Sequence, residues 1–394
     1  MPKYKIQTGN LKITKAEKKV INSILDSNNI SEGKYVEKFQ NKWAKYIGTK
    51  HCTLFNSGSS ALIVGLRALR EYMGYPLRII TTPFTYIATI HSILLTGNKP
   101  IFVDIDPKTM GMSPDALEKY LSEKNNADVV MPVHIMGIPC EIDKIKKICN
   151  EKGLELIEDT CQSYGTKYKG KMLGSYGLWS ACSYYIAHTL QCSEMGSLNT
   201  NNRYLARLFN SLKSNGRTST FDSDKEPYYS DKNKDKLDLH PRYYHTRPSG
   251  NYRTTEFSAA FAYEQSKKIN SIIKKRNDNV KYLNNELKDM KNYITLPKYS
   301  KNIAYLGYPL IVNPNLISRK EFREGLESRG IETRPMYGNL VADMPSLKQF
   351  KNKYKNKLPN ADFIGRNAMY VGCHESLNKD DLNYMIKSIK EVLK

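Results

Sequence analysis

Short apolar runs alternate with amphipathic stretches over the first half of this sequence, and this order limits the possible folds more than any other feature. In "HCTLFNSGSSALIVGLRALREYM", residues 51–73, an apolar run ends in a glycine turn and is followed by apolar residues at helical spacing. The same shape recurs at 78–97, and "KPIFVDID", "DVVMPVHIMG" and "LELIEDTCQSYG" follow as further short strands. Alternating strands and helices predict an α/β fold with a mostly parallel sheet, whose ligands bind at the carboxyl ends of the strands.

The length of the chain, 394 residues, exceeds what one small core accommodates, so two domains are expected. We place a large domain at 1–255, beginning with a helical segment, and a smaller C-terminal α/β domain at 256–394. The small domain begins with a long helical pattern over 257–290. The stretch 221–248 is polar, contains proline and lacks periodicity, which predicts an exposed loop or a segment ordered by a neighbouring subunit.

The charge of the chain narrows the classes of partner. Its 61 basic and 39 acidic residues give a formal net charge of +22, which by itself is compatible with nucleic-acid binding. The lysines are scattered, however, and the sequence contains no zinc-finger, helix-turn-helix or RNA-binding signature. We therefore expect a solvated basic surface, no nucleic-acid partner, and a field that favours an anionic small substrate such as a nucleotide diphosphate.

Cysteine spacing and hydropathy exclude further classes. The seven cysteines form no CxxC or CxC pair, so neither a zinc site nor an iron–sulfur cluster is expected, and no metal ligand is predicted. No run approaches the roughly 20 apolar residues of a membrane helix. The start, "MPKYKIQTGN", lacks the apolar core of a secretory signal. The sequence predicts a cytoplasmic protein without membrane contact.

Three strand ends carry residues suited to ligand binding. "NSGSSAL", residues 56–62, forms a strand-to-helix turn, where free backbone N–H groups and the helix dipole favour a phosphate. "IEDTCQ", residues 157–162, ends a strand with two carboxylates, one of which is suited to pair with a cationic ring nitrogen. Tyr86 follows another strand and is suited to stack on a planar ring. Taken singly, each feature has a plainer interpretation as a helix cap, a capped turn or a core aromatic.

The order of these motifs resembles that of the DegT/DnrJ-type pyridoxal-phosphate sugar aminotransferases over nearly the whole chain. "NSGSSAL" is similar to the family's "NSGTAAL", "IEDTCQ" to its "IEDAAQ", and "SGNYRTTEFSAA" to its "GYNYRMTDIQAA". The resemblance implies an aspartate-aminotransferase-like fold of fold type I, with a large mostly parallel-sheet domain and a smaller C-terminal α/β domain. It also implies a homodimer whose active sites are shared between the subunits.

The same resemblance implies a site for pyridoxal 5′-phosphate or its amine form, pyridoxamine 5′-phosphate. An aspartate beside the ring nitrogen would keep that nitrogen protonated and the ring an electron sink. The implied contacts are Ser59, Ser60, Ser183 and, from the partner subunit, Asn251 for the phosphate, Tyr86 for the ring face, Asp159 for the ring nitrogen and Gln162 for the ring hydroxyl.

At one position the sequence departs from these aminotransferases. Their segment reads like "SFYPTKNLTTGEGG", with a lysine that binds the cofactor covalently, whereas this chain reads "SYYIAHTLQCSEMG", with His188 in that place. No lysine occurs between Lys171 and Lys213, so no near neighbour replaces it. A histidine still moves protons, because its ordinary pKa of about 6.5 suits a general base at neutral pH.

This histidine resembles that of the sugar 3-dehydratases within the family, whose segment is like "SFYxAHHIT". "IETRPMYGN", residues 331–339, is similar to their "IETRPxxxGN", from which Arg334 and Asn339 are expected to contact the substrate. The resemblance implies an enzyme, a lyase that removes the C3 hydroxyl of a nucleotide-linked 4-keto-6-deoxyhexose for lipopolysaccharide O-antigen, with His188 as base. The absence of a cysteine between Cys192 and Cys373 favours the type without an iron–sulfur cluster, which regenerates its amine from glutamate.

The end of the His188 segment leaves two other interpretations open. The dehydratases keep a second histidine and a glycine-rich "GEGG", whereas Thr189 and "SEMG" stand in those places here. Met195 either narrows the site or changes the backbone. One alternative is a catalytically silent relative that binds the cofactor or a sugar nucleotide. The other is a sugar-nucleotide aminotransferase that uses a different lysine.

Overall fold

The computed structural model describes residues 4–217, 243–338 and 340–394. Within these ranges helices pack against two main sheets in an α/β arrangement. Of the loop predicted at 221–248, only 243–248 belong to the described residues.

The strands form where short runs of apolar and β-branched residues were expected to be buried. They are, in chain order, β1 (His51–Phe55), β2 (Arg78–Thr81), β3 (Lys99–Phe102), β4 (Val129–Val130), β5 (Glu155–Leu156), β6 (Glu158–Asp159), β7 (Lys167–Tyr168), β8 (Lys171–Met172), β9 (Trp179–Ser183), β10 (Gly196–Thr200), β11 (Ile294–Thr295), β12 (Tyr308–Val312), β13 (Arg334–Pro335) and β14 (Ala368–Val371).

Helices form where apolar residues recur at three-to-four spacing, and several begin at a residue whose side chain accepts a hydrogen bond from the first turn. Ser318 and Asn378, for example, start helices with reciprocal capping boxes. None of the helices in the described part of the chain is both long and apolar enough to cross a membrane. The described helices are α1 (Lys15–Ser27), α2 (Lys34–Ile47), α3 (Gly58–Met73), α4 (Ile87–Leu95), α5 (Pro114–Glu123), α6 (Ile142–Lys152), α7 (Arg203–Leu212), α8 (Glu256–Ser266), α9 (Ile269–Glu286), α10 (Arg319–Ser328), α11 (Leu340–Asp343), α12 (Lys348–Tyr354), α13 (Pro359–Asn367) and α14 (Lys379–Leu393).

The first main sheet is mixed and mostly parallel. β2 pairs in parallel with β3 and β4, β4 with β5, and β6 with β9. A parallel bridge between Val133 and Asp159 joins the chain after β4 to β6, so the two groups of parallel strands continue into each other. β10 runs antiparallel to both of its neighbours, β9 and β1. The predicted mostly parallel sheet is therefore confirmed, with β10 as an antiparallel insertion.

Strand register brings three chain segments together at one edge of this sheet. Gly196 at the start of β10 lies opposite both Phe55 at the end of β1 and Ser183 at the end of β9. Asp159 at the end of β6 pairs with Ala181, two residues before Ser183. Because parallel strands end at the same edge, the start of α3, the end of β6 and the chain after β9 are neighbours.

The second main sheet is antiparallel, with the order β11-β12-β14-β13. Leu310 on β12 belongs to the same buried cluster as Phe322 on α10, Ile364 on α13 and Ile389 on α14. Burial of these apolar side chains from water stabilises the C-terminal part of the fold.

The helical pattern predicted over 257–290 forms two helices, α8 and α9. At the end of α8 the N–H groups of Lys267 and Lys268 bond to carbonyls only three residues back. Buried Glu17 of α1 fixes this break, because its Oε1 accepts from Gln265 Nε2 at 3.0 Å and from Lys268 Nζ at 2.7 Å. Burial opposes ionisation of Glu17, but Lys268 and Thr14 outweigh it and lower its pKa to about 2.

The two helices on either side of this break pack on different parts of the molecule. Ala259, Ala260 and Ala262 of α8 pack with apolar residues of α1 and α2, whereas Val280 of α9 lies in the core of the second sheet. The division of the chain into domains at 1–255 and 256–394 stays a prediction.

Candidate active site

The N-terminus of α3 lies directly against Ser183. Ser57 caps the helix, since its hydroxyl accepts from the N–H of Ser60 at 3.1 Å. A Cβ at Gly58 would lie 2.6 Å from the Cβ of Ser183, so only glycine fits there. Ser59 is exposed and Ser60 half-buried beside it. The hydroxyls of Ser59, Ser60 and Ser183 therefore surround a helix N-terminus, where free N–H groups bind phosphate well.

Asp159 is a buried carboxylate at the end of β6, with only 3% of its surface exposed. Its Oδ2 accepts from the hydroxyl of Thr89 at 2.8 Å, and its Oδ1 from the N–H of Cys161 at 3.1 Å. No cationic side chain of the described residues forms an ion pair with it. A buried carboxylate that has only neutral donors is suited to a cationic ligand atom such as a protonated ring nitrogen.

Glu158, the residue before Asp159, faces the other side of the strand and is satisfied by protein groups. Its carboxylate accepts from the N–H groups of Gly174, Tyr176 and Gly177 at 2.7–2.9 Å and lies 3.5 Å from Nε2 of His134. Burial opposes its ionisation, yet His134 and these N–H groups hold the pKa of Glu158 below its ordinary value. Of the two carboxylates at this strand end, Asp159 is thus the one that faces the candidate site.

Tyr86 and Gln162 form a second side of the site, together with a residue from the C-terminal half. Tyr86 is 58% exposed just before α4, a suitable place for stacking on a ligand ring. The Oε1 of Gln162 accepts from the N–H of Met136 at 3.1 Å, and its Nε2 donates to the hydroxyl of Tyr337. The Tyr337 ring lies 6.2 Å from that of Tyr86 and 5.9 Å from that of Phe84.

We call residues 56–60, 159–162 and Ser183 the cofactor face, and residues 184–195 the His188 loop. The loop leaves the sheet after β9 and returns at β10, and its two ends are joined because Tyr184 N–H donates to Met195 O at 2.8 Å. Ser183, the last residue of β9, lies against the N-terminus of α3, and His188 follows it five residues later in the loop.

The ring of His188 is half-buried, and its Nδ1 is a buried atom for which the described residues supply no hydrogen-bond partner. The ring lies 6.1 Å from that of Tyr185, edge to face. Burial lowers the pKa of His188 to about 4; the backbone of Tyr185 opposes this shift, and the positive charge of Arg276 adds to it. The imidazole is therefore neutral at physiological pH, which is the form that accepts a proton, but a pKa this low makes it a weaker base than the ordinary histidine expected from the sequence.

The altered end of the His188 loop leaves the sheet geometry intact. The side chain of Met195 is buried in a core cluster with Phe39 and Trp43. Ser193 takes a left-handed backbone conformation, with φ of 82°, where the family sequence has the first glycine of "GEGG". A Cβ at Gly196 would lie 2.3 Å from the carbonyl oxygen of Ser57, so this glycine is required.

The remaining predicted residues lie at the surface or outside the described chain. Asn251 is exposed, and its Oδ1 accepts from Arg253 Nε at 3.1 Å. Arg334 is exposed and pairs with Glu332 at 2.7 Å. Asn339 lies outside the described residues. The contact of Asn251 with a partner subunit therefore stays a prediction. The contacts of Arg334 and Asn339 with a substrate also stay predictions.

Two residues of the site were not predicted from the sequence, namely Thr89 and Tyr337. Thr89 lies three residues after Tyr86, one turn into α4, so helical spacing from Tyr86 was a usable signal. It extends a buried chain of hydrogen bonds, because its hydroxyl also lies 2.9 Å from that of Thr85. Tyr337 belongs to the "IETRPMYGN" motif, but nothing in its spacing indicates contact with Gln162, 175 residues earlier.

The cysteines do not gather into a site. All seven are described and free, and six of them are buried. Within the described ranges no cluster of three or more histidine, cysteine, aspartate or glutamate side chains has the geometry to hold a metal ion.

Three features of the cofactor face and the His188 loop fit a phosphorylated pyridine ring. The α3 N-terminus with its serines suits the phosphate, the buried carboxylate of Asp159 suits a protonated ring nitrogen, and the orphaned Nδ1 of His188 lies in the adjacent loop. The surroundings of the α3 N-terminus, Asp159 and His188 are thus chemically suited to the roles predicted for them, namely binding the phosphate, pairing with the ring nitrogen and moving a proton.

Similar proteins are known over almost the full length of the chain. The sequence profile of the DegT/DnrJ/EryC1/StrS aminotransferase family matches residues 11–390. The chain is 28% identical over 384 residues to a GDP-4-keto-6-deoxy-D-mannose 3-dehydratase of Escherichia coli O55:H7, covering 96% of each chain. It is 29% identical over 381 residues to a GDP-perosamine synthase of Escherichia coli O157:H7, also covering 96% of each.

Solved structures agree with these sequence matches. A crystal structure of a GDP-4-keto-6-deoxymannose 3-dehydratase with a trapped PLP–glutamate geminal diamine is similar to this chain with a TM-score of 0.88 at 25% identity. The match covers 99% of this chain and 100% of that one. The aminotransferase-like α/β fold expected from the sequence is confirmed.

Proposed function

This chain belongs to the DegT/DnrJ/EryC1/StrS aminotransferase family, and we propose that it is a 3-dehydratase that removes the C3 hydroxyl of a nucleotide-linked 4-keto-6-deoxyhexose. It is an enzyme of sugar-nucleotide metabolism that uses pyridoxal phosphate. GDP-4-keto-6-deoxymannose is the first substrate to test, because it is the substrate in the name of a relative that matches 96% of the chain.

One observation carries the choice of dehydration: His188 stands where the family has its lysine. The flanking lysines are engaged elsewhere, which supports this choice. Lys213 is buried, and its Nζ pairs with Glu32 at 2.9 Å. Lys171 lies on the β7–β8 hairpin, with its Nζ 4.7 Å from the centre of the Tyr176 ring. A chain without a lysine amine at the site lacks the group that aminotransferases of this family use to hold and release their cofactor.

When bound, pyridoxamine phosphate supplies a conjugated electron sink that lets the C3 hydroxyl of a C4-keto sugar leave. Ser59, Ser60, Ser183 and the N–H groups of α3 hold the phosphate, and Asp159 keeps a proton on the ring nitrogen. His188, which is neutral at physiological pH, would accept at a ring nitrogen the proton that the bound reactants lose and would return it to the departing hydroxyl, which leaves as water.

The proposal also states how the amine of the cofactor is regenerated and how the subunits assemble. Glutamate is the proposed amine donor, in keeping with the solved relative that holds PLP together with glutamate. We also propose a homodimer in which Asn251 of one subunit reaches the phosphate in the other, and a role in making deoxysugars for lipopolysaccharide.

An aminotransferase is the second candidate, because a GDP-perosamine synthase matches the chain as well as a dehydratase does. To work as an aminotransferase, the chain would need a different lysine to hold the cofactor, because His188 stands where the family has its lysine. A silent relative, the third interpretation, was suggested by the "SEMG" sequence. Burial of the Met195 side chain in the core and retention of Gly196 support a working site instead.

The products distinguish these functions. Purified protein is incubated with pyridoxal phosphate, glutamate and GDP-4-keto-6-deoxymannose, and in parallel with CDP- and dTDP-linked 4-keto-6-deoxyhexoses. A dehydratase gives a sugar that has lost one oxygen atom by mass spectrometry. An amino sugar that keeps its C3 hydroxyl would establish the aminotransferase, and unchanged sugars throughout the panel would contradict both.

A further inference from the structure

We infer that Tyr337 is a positioning residue that fixes the side-chain amide of Gln162 for contact with the cofactor ring. The inference rests on the proposed function in one respect, namely that the cofactor face binds a pyridine ring. Tyr337 lies just after β13, in the C-terminal half of the chain, and contacts two residues of the predicted cofactor site, Gln162 and Tyr86.

Two hydrogen bonds determine the orientation of the side-chain amide of Gln162. The oxygen, Oε1, is occupied by the N–H of Met136 at 3.1 Å. The nitrogen, Nε2, therefore points the other way, where it donates one hydrogen to the hydroxyl oxygen of Tyr337. Since a carboxamide nitrogen carries two hydrogens, the second stays available for an acceptor such as the ring oxygen of the cofactor. Without the Tyr337 oxygen, one of the two restraints on the amide is lost.

The ring of Tyr337 is itself held in place by aromatic contacts. Its centroid lies 5.9 Å from that of Phe84 with an interplanar angle of 72°, and 6.2 Å from that of Tyr86 with an angle of 60°. These are ordinary distances for edge-to-face and tilted aromatic pairs. Tyr337 thus joins the aromatic side of the site to Gln162.

The phenol keeps its proton in this position. Burial raises the pKa of Tyr337 well above its usual value, and the nearby Tyr370 and Asp159 act in the same direction, although the Gln162 amide opposes them. The hydroxyl is consequently neutral at physiological pH, so it accepts from Gln162 without placing a negative charge beside Asp159.

A double-mutant cycle on cofactor affinity tests the inference. Protein freed of cofactor by dialysis is titrated with pyridoxamine 5′-phosphate in four forms: unchanged, Tyr337→Phe, Gln162→Ala, and both together. Tyr337→Phe keeps the ring and removes the oxygen, and we expect binding about five- to tenfold weaker, as for one lost hydrogen bond. In the Gln162→Ala background the same change should have no further effect. The absorption maximum of the bound cofactor should shift in Tyr337→Phe as it does in Gln162→Ala.

Tyr384→Phe is the matched control, because it removes a tyrosine hydroxyl that is likewise hydrogen-bonded within the C-terminal half of the chain, where it donates to the carbonyl of Arg329 at 2.8 Å. It should leave the affinity for pyridoxamine phosphate unchanged. Equal or tighter binding by Tyr337→Phe, or an equal effect in both Gln162 backgrounds, would overturn the positioning role alone. Failure of the unchanged protein to bind pyridoxamine phosphate would overturn both this inference and the proposed function.

Discussion

The cofactor face and the His188 loop meet at one sheet edge, but they are held by different contacts. The face is fixed by strand pairing, a helix cap and hydroxyl bonds such as that from Thr89 to Asp159. The loop is closed by its own backbone, since Tyr184 N–H donates to Met195 O and Cys192 N–H to Tyr184 O at 3.0 Å. Loop residues such as Met195 are packed in the core, whereas His188 is half-buried, so we expect exchange of His188 to leave the groups that surround the cofactor undisturbed.

This difference separates binding from reaction. The cofactor face keeps Asp159 and Gln162 of the quoted family motifs, although Ser60 and Cys161 stand where those motifs have alanine, and the loop carries the substitution that we propose selects the chemistry. Changes on the face should weaken binding of the cofactor, whereas changes of His188 should remove turnover and leave binding nearly intact.

The largest effect is expected from His188→Asn, which removes the base and retains a polar side chain. We expect kcat to fall by about 10³-fold, as is typical for loss of a general base, with the dissociation constant for pyridoxamine phosphate within about twofold of the original. Product formation by mass spectrometry and a binding titration give the two values. His91→Asn, which changes a half-buried histidine on α4 that bonds to Ser346, serves as the control. Retention of most activity in His188→Asn would refute the separation of roles.

The second-largest effect is expected from Asp159, and it is compared with the effect of its neighbour on β6, Glu158. Asp159→Asn should weaken binding of pyridoxamine phosphate by about 10- to 100-fold, because a buried charged partner of the ring nitrogen is lost. Glu158→Gln, its matched variant, should cost about 3 kcal/mol of unfolding free energy, because the carboxylate lies against His134 and accepts three N–H groups. Titration and urea denaturation measure these changes. If Glu158→Gln weakened binding as much as Asp159→Asn while stability stayed unchanged, the assignment of faces would be wrong.

A third test uses pH. A histidine of ordinary pKa, about 6.5, would lose about tenfold in activity by pH 5.5 because it becomes protonated. The pKa of His188 in the free protein is lowered to about 4, so the ring stays neutral and kcat/KM should be nearly constant down to about pH 5.

The stability of the folded protein sets the lowest pH at which its activity can be compared. The unfolded chain binds a proton at His188 near its ordinary pKa, whereas the folded chain binds it only near 4, so folding weakens as the pH falls through that window. Circular dichroism at each pH separates unfolding from a change in kcat/KM. An acid limb with a midpoint near 6.5 in folded protein would contradict the lowered pKa of His188.

The smallest effect concerns the backbone of the His188 loop. Ser193 has φ of 82°, a conformation that is strained for any residue with a Cβ. Ser193→Gly should therefore raise the unfolding free energy by about 0.5–1 kcal/mol and leave kcat unchanged. Ser193→Ala keeps the strain and should not stabilise the protein. Thermal melts of both variants provide the comparison, and stabilisation by alanine would exclude backbone strain as the cause.

The sequence predicted the features of this molecule that depend on local pattern. Alternating apolar runs indicated the α/β fold, and the strand-end positions of Asp159 and Ser183 follow from the same pattern. The features that it did not predict depend on contacts between distant segments. The break between α8 and α9 depends on buried Glu17, some 250 residues earlier along the chain. In the same way, only the folded chain brings Tyr337 to Gln162.

The most direct test of the account compares the products of the unchanged protein and of His188→Lys in the same mixture of GDP-4-keto-6-deoxymannose, pyridoxal phosphate and glutamate. Mass spectrometry should find the nucleotide sugar short of one oxygen atom with the unchanged protein. With His188→Lys that product should be absent, and the lysine should give the absorbance of a covalently held cofactor that survives dialysis. An amino sugar made by the unchanged protein, or loss of the C3 oxygen by His188→Lys, would contradict the assignment of His188 as the residue that selects dehydration.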